Sequence, residues 1–388
     1  MKEWKKVKLG ELYKVHNGLS KGRQFFGSGF PFLTFSNVFN NWFLPETLDA
    51  LVQSSEKERE TCSIRKGDVF ITRTSETMDE LGMSSVALKD YPNATYNGFT
   101  KRLRPLTDEV IPEYIGYYLR SPKFRGKFMA FSTMTTRASL ANDDLLSMEV
   151  ELPDKITQQR IASTLSRYDS LIENYQKQIK LLEESAQRLY KEWFIDLRFP
   201  DHENTKIVDG IPERWKKKRL ADIAELKAGS DKPDIFSNVR TEDCAIPIFS
   251  NGTTNEGLYG FTKVPEIMEH CVTISARGSV GYTVLRRTPF VPIVRLISVI
   301  PHNVYVGYIF YYLKSTTLDS NGAAQQQITI PMIRNKEITI PTKGILEIFE
   351  SQTEPIFNQI DILKDQIRHL TEARDRMLPK LMSGEIEV

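Results

Sequence analysis

The sequence predicts an α+β fold with strands dominant. Two similar globular domains are joined by two long helices that pair as an antiparallel coiled coil, and the chain is an internal repeat with pseudo-two-fold symmetry. Three observations predict this. Five sequence blocks recur in the same order in the two halves, two stretches carry an apolar seam at coiled-coil spacing, and 388 residues exceed what one ordinary core accommodates.

"WKKVKLGELYKVHNG" from Trp4 aligns with "WKKKRLADIAELKAG" from Trp215, so that Trp4, Leu9, Leu12 and Gly18 match Trp215, Leu220, Ile223 and Gly229, at an offset of 211. Phe35–Ser36–Asn37 recurs at Phe249–Ser250–Asn251, and "YIGYYLRS" from Tyr114 recurs as "YIFYYLKS" from Tyr308. The segment ending at Pro153 answers the segment ending at Pro341, and the offset of 188 found there holds through both helices. Loops therefore differ in length between the halves while the helices do not. The expected divisions are 1–153 and 201–341 for the globular domains, 154–200 for the first helix with its linker, and 342–388 for the second helix.

Each globular half opens on a Trp-led basic strand or turn and a Gly-containing loop. An apolar strand follows, "FPFLTFSN" or "AIPIFSN". Next is a strand in which Val69 and Ile71, or Val272 and Ile274, alternate inward. A short helix places Tyr118 or Tyr312 on an apolar face, where a core role is expected. A polar loop and a last strand lead into the long helix.

In the first helix the seam runs Leu165, Tyr168, Ile172, Tyr175, Ile179, Leu182, Ala186, Leu189, in alternating steps of three and four. Adding 188 gives Thr353, Ile356, Ile360, Leu363, Ile367, Leu370, Arg374, Met377. Only Thr353 and Arg374 break the apolar pattern, and Arg374, standing where the first helix has Ala186, predicts a wet point. Neither narrow seam can be buried alone, so each is the simplest partner of the other. The 25 residues from Leu165 to Leu189 span about 37 Å, against roughly 34–36 Å for a turn of B-DNA. The pattern thus suits a ruler holding two readers about one DNA turn apart.

Candidate readers lie in the loops after the strands. Arg pairs bidentately with guanine, and Asn or Gln with adenine. On this ground Arg73, Thr74, Thr136 and Arg137 are candidates in the first half. Arg277, Ser279, Gln325, Gln326 and Gln327 are candidates in the second, with Asn37 and Asn251 from the recurring block. Lys21, Arg23, Lys101, Arg102, Arg104, Lys232 and Arg277, with the basic run Lys216–Arg219, are candidate phosphate contacts. A net charge of only +2 argues against a protein that coats nucleic acid by charge alone.

Other chemistries find little support. Cys62, Cys244 and Cys271 form no CxxC pair, the five histidines include no HExxH, and no GxxxxGK[ST] or GxSxG is present. No Pro-Pro dipeptide occurs, so the motif of an adenine-flipping amino-methyltransferase is missing. Asp201 with Glu225–Leu226–Lys227 can be drawn as a metal-nuclease pattern, but Asp201 lies in a polar linker and Glu225 aligns with Lys14. No metal and no catalytic residue is assigned. No apolar run reaches membrane-span length and the N-terminus lacks a signal-peptide core, so a cytoplasmic protein is expected.

"ITQQRIASTLSRYDSLIE", "LYKEWFIDLRFP", "IPERWKKKRLADIAELKAG" and "MLPKLMSGEIEV" resemble the specificity (S) subunit of type I restriction-modification enzymes. The resemblance spans the chain and is strongest in the helices and their exits. It implies two target recognition domains, each reading half of a split, asymmetric site in double-stranded DNA. It implies helices that set the gap and dock two modification subunits. Those partners would bind S-adenosylmethionine and methylate adenine at N6, and a restriction subunit would add ATP-driven translocation and cleavage. The S subunit of that family has no catalytic residues. By the resemblance Ile172, Ile179, Leu182, Ile360, Ile367 and Leu370 belong to the spacer, and the seam itself adds Leu165, Leu189, Ile356 and Leu363 to the spacer packing. The loops around Arg73, Arg137, Arg277 and Gln325–Gln327 fall where DNA is met. The rival readings are a two-headed coiled-coil scaffold that binds proteins, and a nuclease built on Asp201 and Glu225.

Overall fold

The strand Val69–Thr72 shows how the sequence builds each half. Val69 and Ile71 face one core as expected, but Phe70 and Thr72 are buried too, because this strand has neighbours on both edges and packing on both faces. The computed structural model describes residues 4–75, 81–131, 133–134, 138–139, 141–317 and 327–387. The chain divides into two units. The first takes Met1–Gln176 with Asp365–Val388 and the second Lys177–Lys364, so each unit contains part of both long helices.

In the first unit an antiparallel four-stranded sheet runs in the order Tyr13–Asn17, Thr100–Pro105, Val69–Thr72, Ser84–Val86. A three-stranded sheet places Phe26–Leu33 between Leu51–Val52, antiparallel, and Thr95–Tyr96, parallel. The Trp-led strand Lys5–Lys8 pairs with Glu149–Leu152, the strand that feeds the first long helix.

The second unit repeats this topology. Its four-stranded sheet runs Ala224–Ala228, Ile297–Pro301, Cys271–Ile274, Thr283–Arg286. Its three-stranded sheet places Ile246–Phe249 between Leu258–Thr262, antiparallel, and Val291–Pro292, parallel. Lys216–Arg219 pairs with Glu337–Ile340. The duplication read from five short blocks is thus a duplication of strand order and direction.

The helix Pro112–Arg120 starts on a proline at its first position, where the missing N–H costs nothing. It buries Tyr114, Tyr117 and Tyr118 completely. Tyr114 Oη donates to the Glu151 carbonyl at 2.9 Å, and the Glu151 amide donates to Tyr118 Oη at 3.0 Å. In the helix Val306–Ser315, Tyr308 Oη donates to the Thr339 carbonyl and Tyr312 Oη to the Glu337 carbonyl. Tyr118 is therefore core as expected, and the half-buried Tyr312 is a latch on the last strand.

Phe35–Ser36–Asn37 does not extend the apolar strand, which stops at Leu33. Thr34 and Asn37 form a reciprocal capping box, and Phe35–Asn40 is a short helix. The recurring Ser250–Asn251 lies in a loop after the strand Ile246–Phe249.

The first long helix is Lys155–Tyr190, continued by a π-turn at Lys191–Ile195, and the second is Lys343–Ser383. Within the first unit, Ile161, Ala162 and Leu165 share a core with Leu378, Leu381 and Met382. Within the second, Ala186 and Tyr190 share a core with Phe349, Phe357 and Ile360, against which Ile179, Leu182, Leu189 and Ile356 pack. Leu363 is buried, and Ile172, Ile367 and Leu370 are half-buried. Off the seam, Leu171, Leu181 and Ile362 are exposed.

The two seam exceptions are accommodated by bonds. Thr353 is fully buried, its Oγ1 lying 2.8 Å from the Phe349 carbonyl and 3.0 Å from Tyr305 Oη. Arg374 is not the wet point expected: its side chain is only 12% exposed and donates to Asp169 Oδ1 at 2.6 Å.

A candidate nucleic-acid interface

The residues read from sequence as DNA contacts fall into two groups. Several are consumed inside the fold. Lys101 is 4% exposed and donates to Asn142 Oδ1; burial, followed by the charge of Arg73, lowers its pKa. Arg102 is 6% exposed and donates to the carbonyls of Thr61 and Ser63 at 3.2 and 2.6 Å. Arg104 is held by Asp68 at 2.6 Å. A phosphate cannot reach Arg102 without breaking the loop it holds, so Arg102 and its neighbours Lys101 and Arg104 act as internal struts.

Lys21 is also occupied. Its Nζ donates to the Gln53 carbonyl at 2.8 Å and pairs with Glu58 at 2.8 Å. The Lys21 hydrogen bond, then that of the Ser55 amide, hold the Glu58 carboxyl down to about 2. Asn37 serves the capping box, and Asn251 accepts from the Ala276 amide at 2.7 Å while donating to the Val294 carbonyl at 2.6 Å. Both asparagine side chains fasten their own loops.

The remaining candidates stay near the surface. Arg23 is exposed in the turn Arg23–Phe25, beside the exposed Phe25 and Phe26. Arg73 is half-buried at the end of its strand, and its amide donates to the Phe99 carbonyl at 3.0 Å. The backbone of Thr74 lies in the short strand Thr74–Ser75, which pairs with Ala138–Ser139. Lys232 is exposed, its Nζ 4.4 Å from the Phe236 ring centroid. Ser279 is exposed and its carbonyl accepts from the Tyr282 amide at 3.0 Å. Thr136, Arg137, Gln325 and Gln326 lie outside the described residues.

The second unit brings together two residues that the sequence separates by fifty positions. Arg277 Nη2 donates to Gln327 Oε1 at 3.3 Å, on the wall of a pocket of about 420 Å³. Arg295, not singled out from the sequence, lines the same pocket. Neither arginine has a carboxylate partner among the described residues, and no acidic residue lines the pocket. Phe99 of the first unit was also missed, although it is 55% exposed. The signal that could have found it is the Asn97–Gly98 turn placing an aromatic side chain just ahead of a strand.

The proposed nuclease pattern is not assembled. Glu225 lies on the strand Ala224–Ala228 and pairs with Lys227 at 3.1 Å, while Asp201 sits at the start of the turn His202–Asn204. Among the described residues no group of three metal-ligating side chains is found, and no helix is long and apolar enough to cross a membrane.

The two halves share one topology and carry different loop chemistry on that common frame. Comparison with known proteins names the class. The type I restriction modification DNA specificity domain matches residues 1–184 and 212–372, and the chain belongs to that family. It is a non-catalytic DNA-specificity subunit of the type I class. Among its relatives, the MjaIX specificity subunit of Methanocaldococcus jannaschii is 30% identical over 419 residues, covering all of this chain and 94% of that one. The HindI specificity subunit of Haemophilus influenzae is 24% identical, with both chains covered completely. In fold, the chain is similar to the S subunit of a type I system from M. genitalium, with a TM-score of 0.55 at 16% identity over 98% of this chain and 96% of that one.

Proposed function

We propose that each half of the chain reads one half of a bipartite, asymmetric site in double-stranded DNA, and that the two long helices pair antiparallel and fix the gap. Two modification subunits dock on this chain in the cytoplasm, bring S-adenosylmethionine, and methylate adenine at N6. A restriction subunit, where the system has one, adds cleavage.

The observation that carries this reading is the repeated topology with unlike loops. The strand order is the same in both units, yet the loop before the second strand of the four-stranded sheet, held by matching backbone bonds (Gly98 to Leu19 and Thr100 to Asn97; Val294 to Ser230 and Leu296 to Ile293), carries Phe99 in one and Arg295 in the other. Equal scaffolds with different donors suit two different half-sites. The antiparallel arrangement draws support from contacts within each unit: the first part of one long helix packs with the last part of the other, and the reverse.

The test is co-expression with the host's modification subunit, followed by methylation-aware sequencing. A bipartite methylated motif is expected. Inserting one heptad into each long helix lengthens the rod by about 10 Å, or roughly three base pairs, and should widen the gap while both half-sites stay the same. A single continuous motif, or a heptad insertion that rewrites a half-site, would refute the ruler.

A further inference from the structure

Beside the sequence-derived candidates lies a second loop, the one entering the second strand of each four-stranded sheet. It joins Thr95–Tyr96 to Thr100–Pro105 in the first unit and Val291–Pro292 to Ile297–Pro301 in the second. The same three backbone bonds hold it in both. The Leu19 amide donates to Tyr96 and the Ser230 amide to Pro292, at 2.8 and 3.2 Å. Gly98 donates to Leu19 and Val294 to Ser230, both at 2.9 Å. Thr100 donates to Asn97 and Leu296 to Ile293, both at 3.0 Å.

The frame needs the glycines that the repeat had already paired. A Cβ on Gly18 would come within 2.1 Å of the Asn97 carbonyl oxygen, and one on Gly229 within 2.7 Å of the Pro292 carbonyl carbon. The matching bonds align Phe99 with Arg295, although the backbone at that position is left-handed only in the second unit. In the second unit the clamp holds Val294 and Arg295 at φ of 54° and 61°, a left-handed conformation that a β-branched residue seldom adopts.

The side chains presented differ in kind. Arg295 shares its pocket with Arg277 and Gln327, against a floor that includes Ala276 and Ile328. Gln327 Oε1 already accepts from Arg277, which leaves its amide nitrogen to donate. Donors dominate the polar wall, so the matching ligand is rich in acceptors. The O6 and N7 edge of guanine fits, as does a phosphate oxygen. Phe99 offers only an apolar face, which suits the methyl group of thymine.

We propose that Phe99 and Arg295 are the paired specificity-determining residues of the two halves, Arg295 taking a guanine edge and Phe99 a thymine methyl. This rests on the bipartite reading above. The test uses the full chain co-expressed with its modification subunit, and reads the methylated motif for Arg295→Ala, Arg295→Lys and Phe99→Ala. Arg295→Ala should relax one guanine position in one half-site, with discrimination falling on the order of tenfold to a hundredfold. Arg295→Lys keeps the charge but loses the bidentate fork, so it should relax the same position. Phe99→Ala should loosen one thymine position in the other half-site. If Arg295→Lys preserves the motif while Arg295→Ala weakens methylation evenly at all sequences, the ligand is a phosphate and the inference is overturned. An unchanged motif in all three variants overturns this inference alone. If the unaltered chain yields no bipartite motif, the functional reading falls and takes this inference with it.

Discussion

Replacing Arg374 with alanine tests how the first unit fixes the two long helices. Asp169 accepts from Arg374 Nη1 at 2.6 Å and also from Tyr117 Oη. The guanidinium lies 5.2 Å from the Trp42 ring centroid, and Trp42 packs on Tyr117. Burial works hardest against the Arg374 charge, but the hydrogen bonds and charges of Asp169 and Asp375 together outweigh it and raise the pKa. The Tyr117 phenol is pushed up by burial and then by the Asp169 charge. Removing one partner of a fully buried pair costs about 3–5 kcal/mol. Because Asp169 keeps 25% exposure, a discounted cost of about 2–3 kcal/mol is expected for Arg374→Ala. For a unit of this size each kcal/mol shifts Tm by roughly 2–4 °C, so calorimetry should show the first unit melting about 4–12 °C lower. The second unit supplies the compensating change. At the repeat-equivalent positions it has Phe357 for Asp169 and Ala186 for Arg374, with Phe357 stacked on Tyr311 at 6.0 Å. The double variant Asp169→Phe/Arg374→Ala should therefore recover most of the loss. A shift below about 1 °C for Arg374→Ala, or a double variant worse than the single, would refute this account of the network.

Other outcomes follow from the same geometry. Tyr311 Oη is buried without a hydrogen-bond partner among the described residues, so Tyr311→Phe should be neutral or stabilising by up to about 1 kcal/mol in urea unfolding, whereas Tyr117→Phe should cost about 1–3 kcal/mol. Glu58 is held at about 2 against an ordinary 4.5, so its contribution is complete above pH 4.5 and is lost as pH falls through 2. The Tm difference between wild type and Glu58→Gln should accordingly be flat from pH 8 to 5 and vanish near pH 2. All three cysteines are buried, and burial pushes the Cys271 thiol up to about 12. A thiol reagent at pH 8 should thus label Cys271 in the native chain only at the rate of local opening, and at once in denaturant. Gly229→Ala forces a Cβ to 2.7 Å from backbone and should lower the second unit's Tm by several degrees, a change visible in calorimetry.

The sequence by itself determined the duplication, the two helices and the buried stripe along each. These are one-dimensional signals: a block recurring in order, or an apolar residue every three or four positions, is visible before any long-range contact forms. Gly18 and Gly229 were likewise matched by alignment, although what they clamp was not legible. Tertiary structure alone decided which cations are free. Arg102 and Arg277 look alike in sequence, yet one is spent on the Thr61 and Ser63 carbonyls and the other lines a pocket with Gln327. It also set Arg295 beside Arg277, and Asp169 under Arg374. The reason is that burial of a charge and convergence of loops depend on strand register between segments tens to hundreds of residues apart. A periodic pattern fixes which face of an element is apolar, and it leaves open which polar group from elsewhere in the chain will meet that element's end.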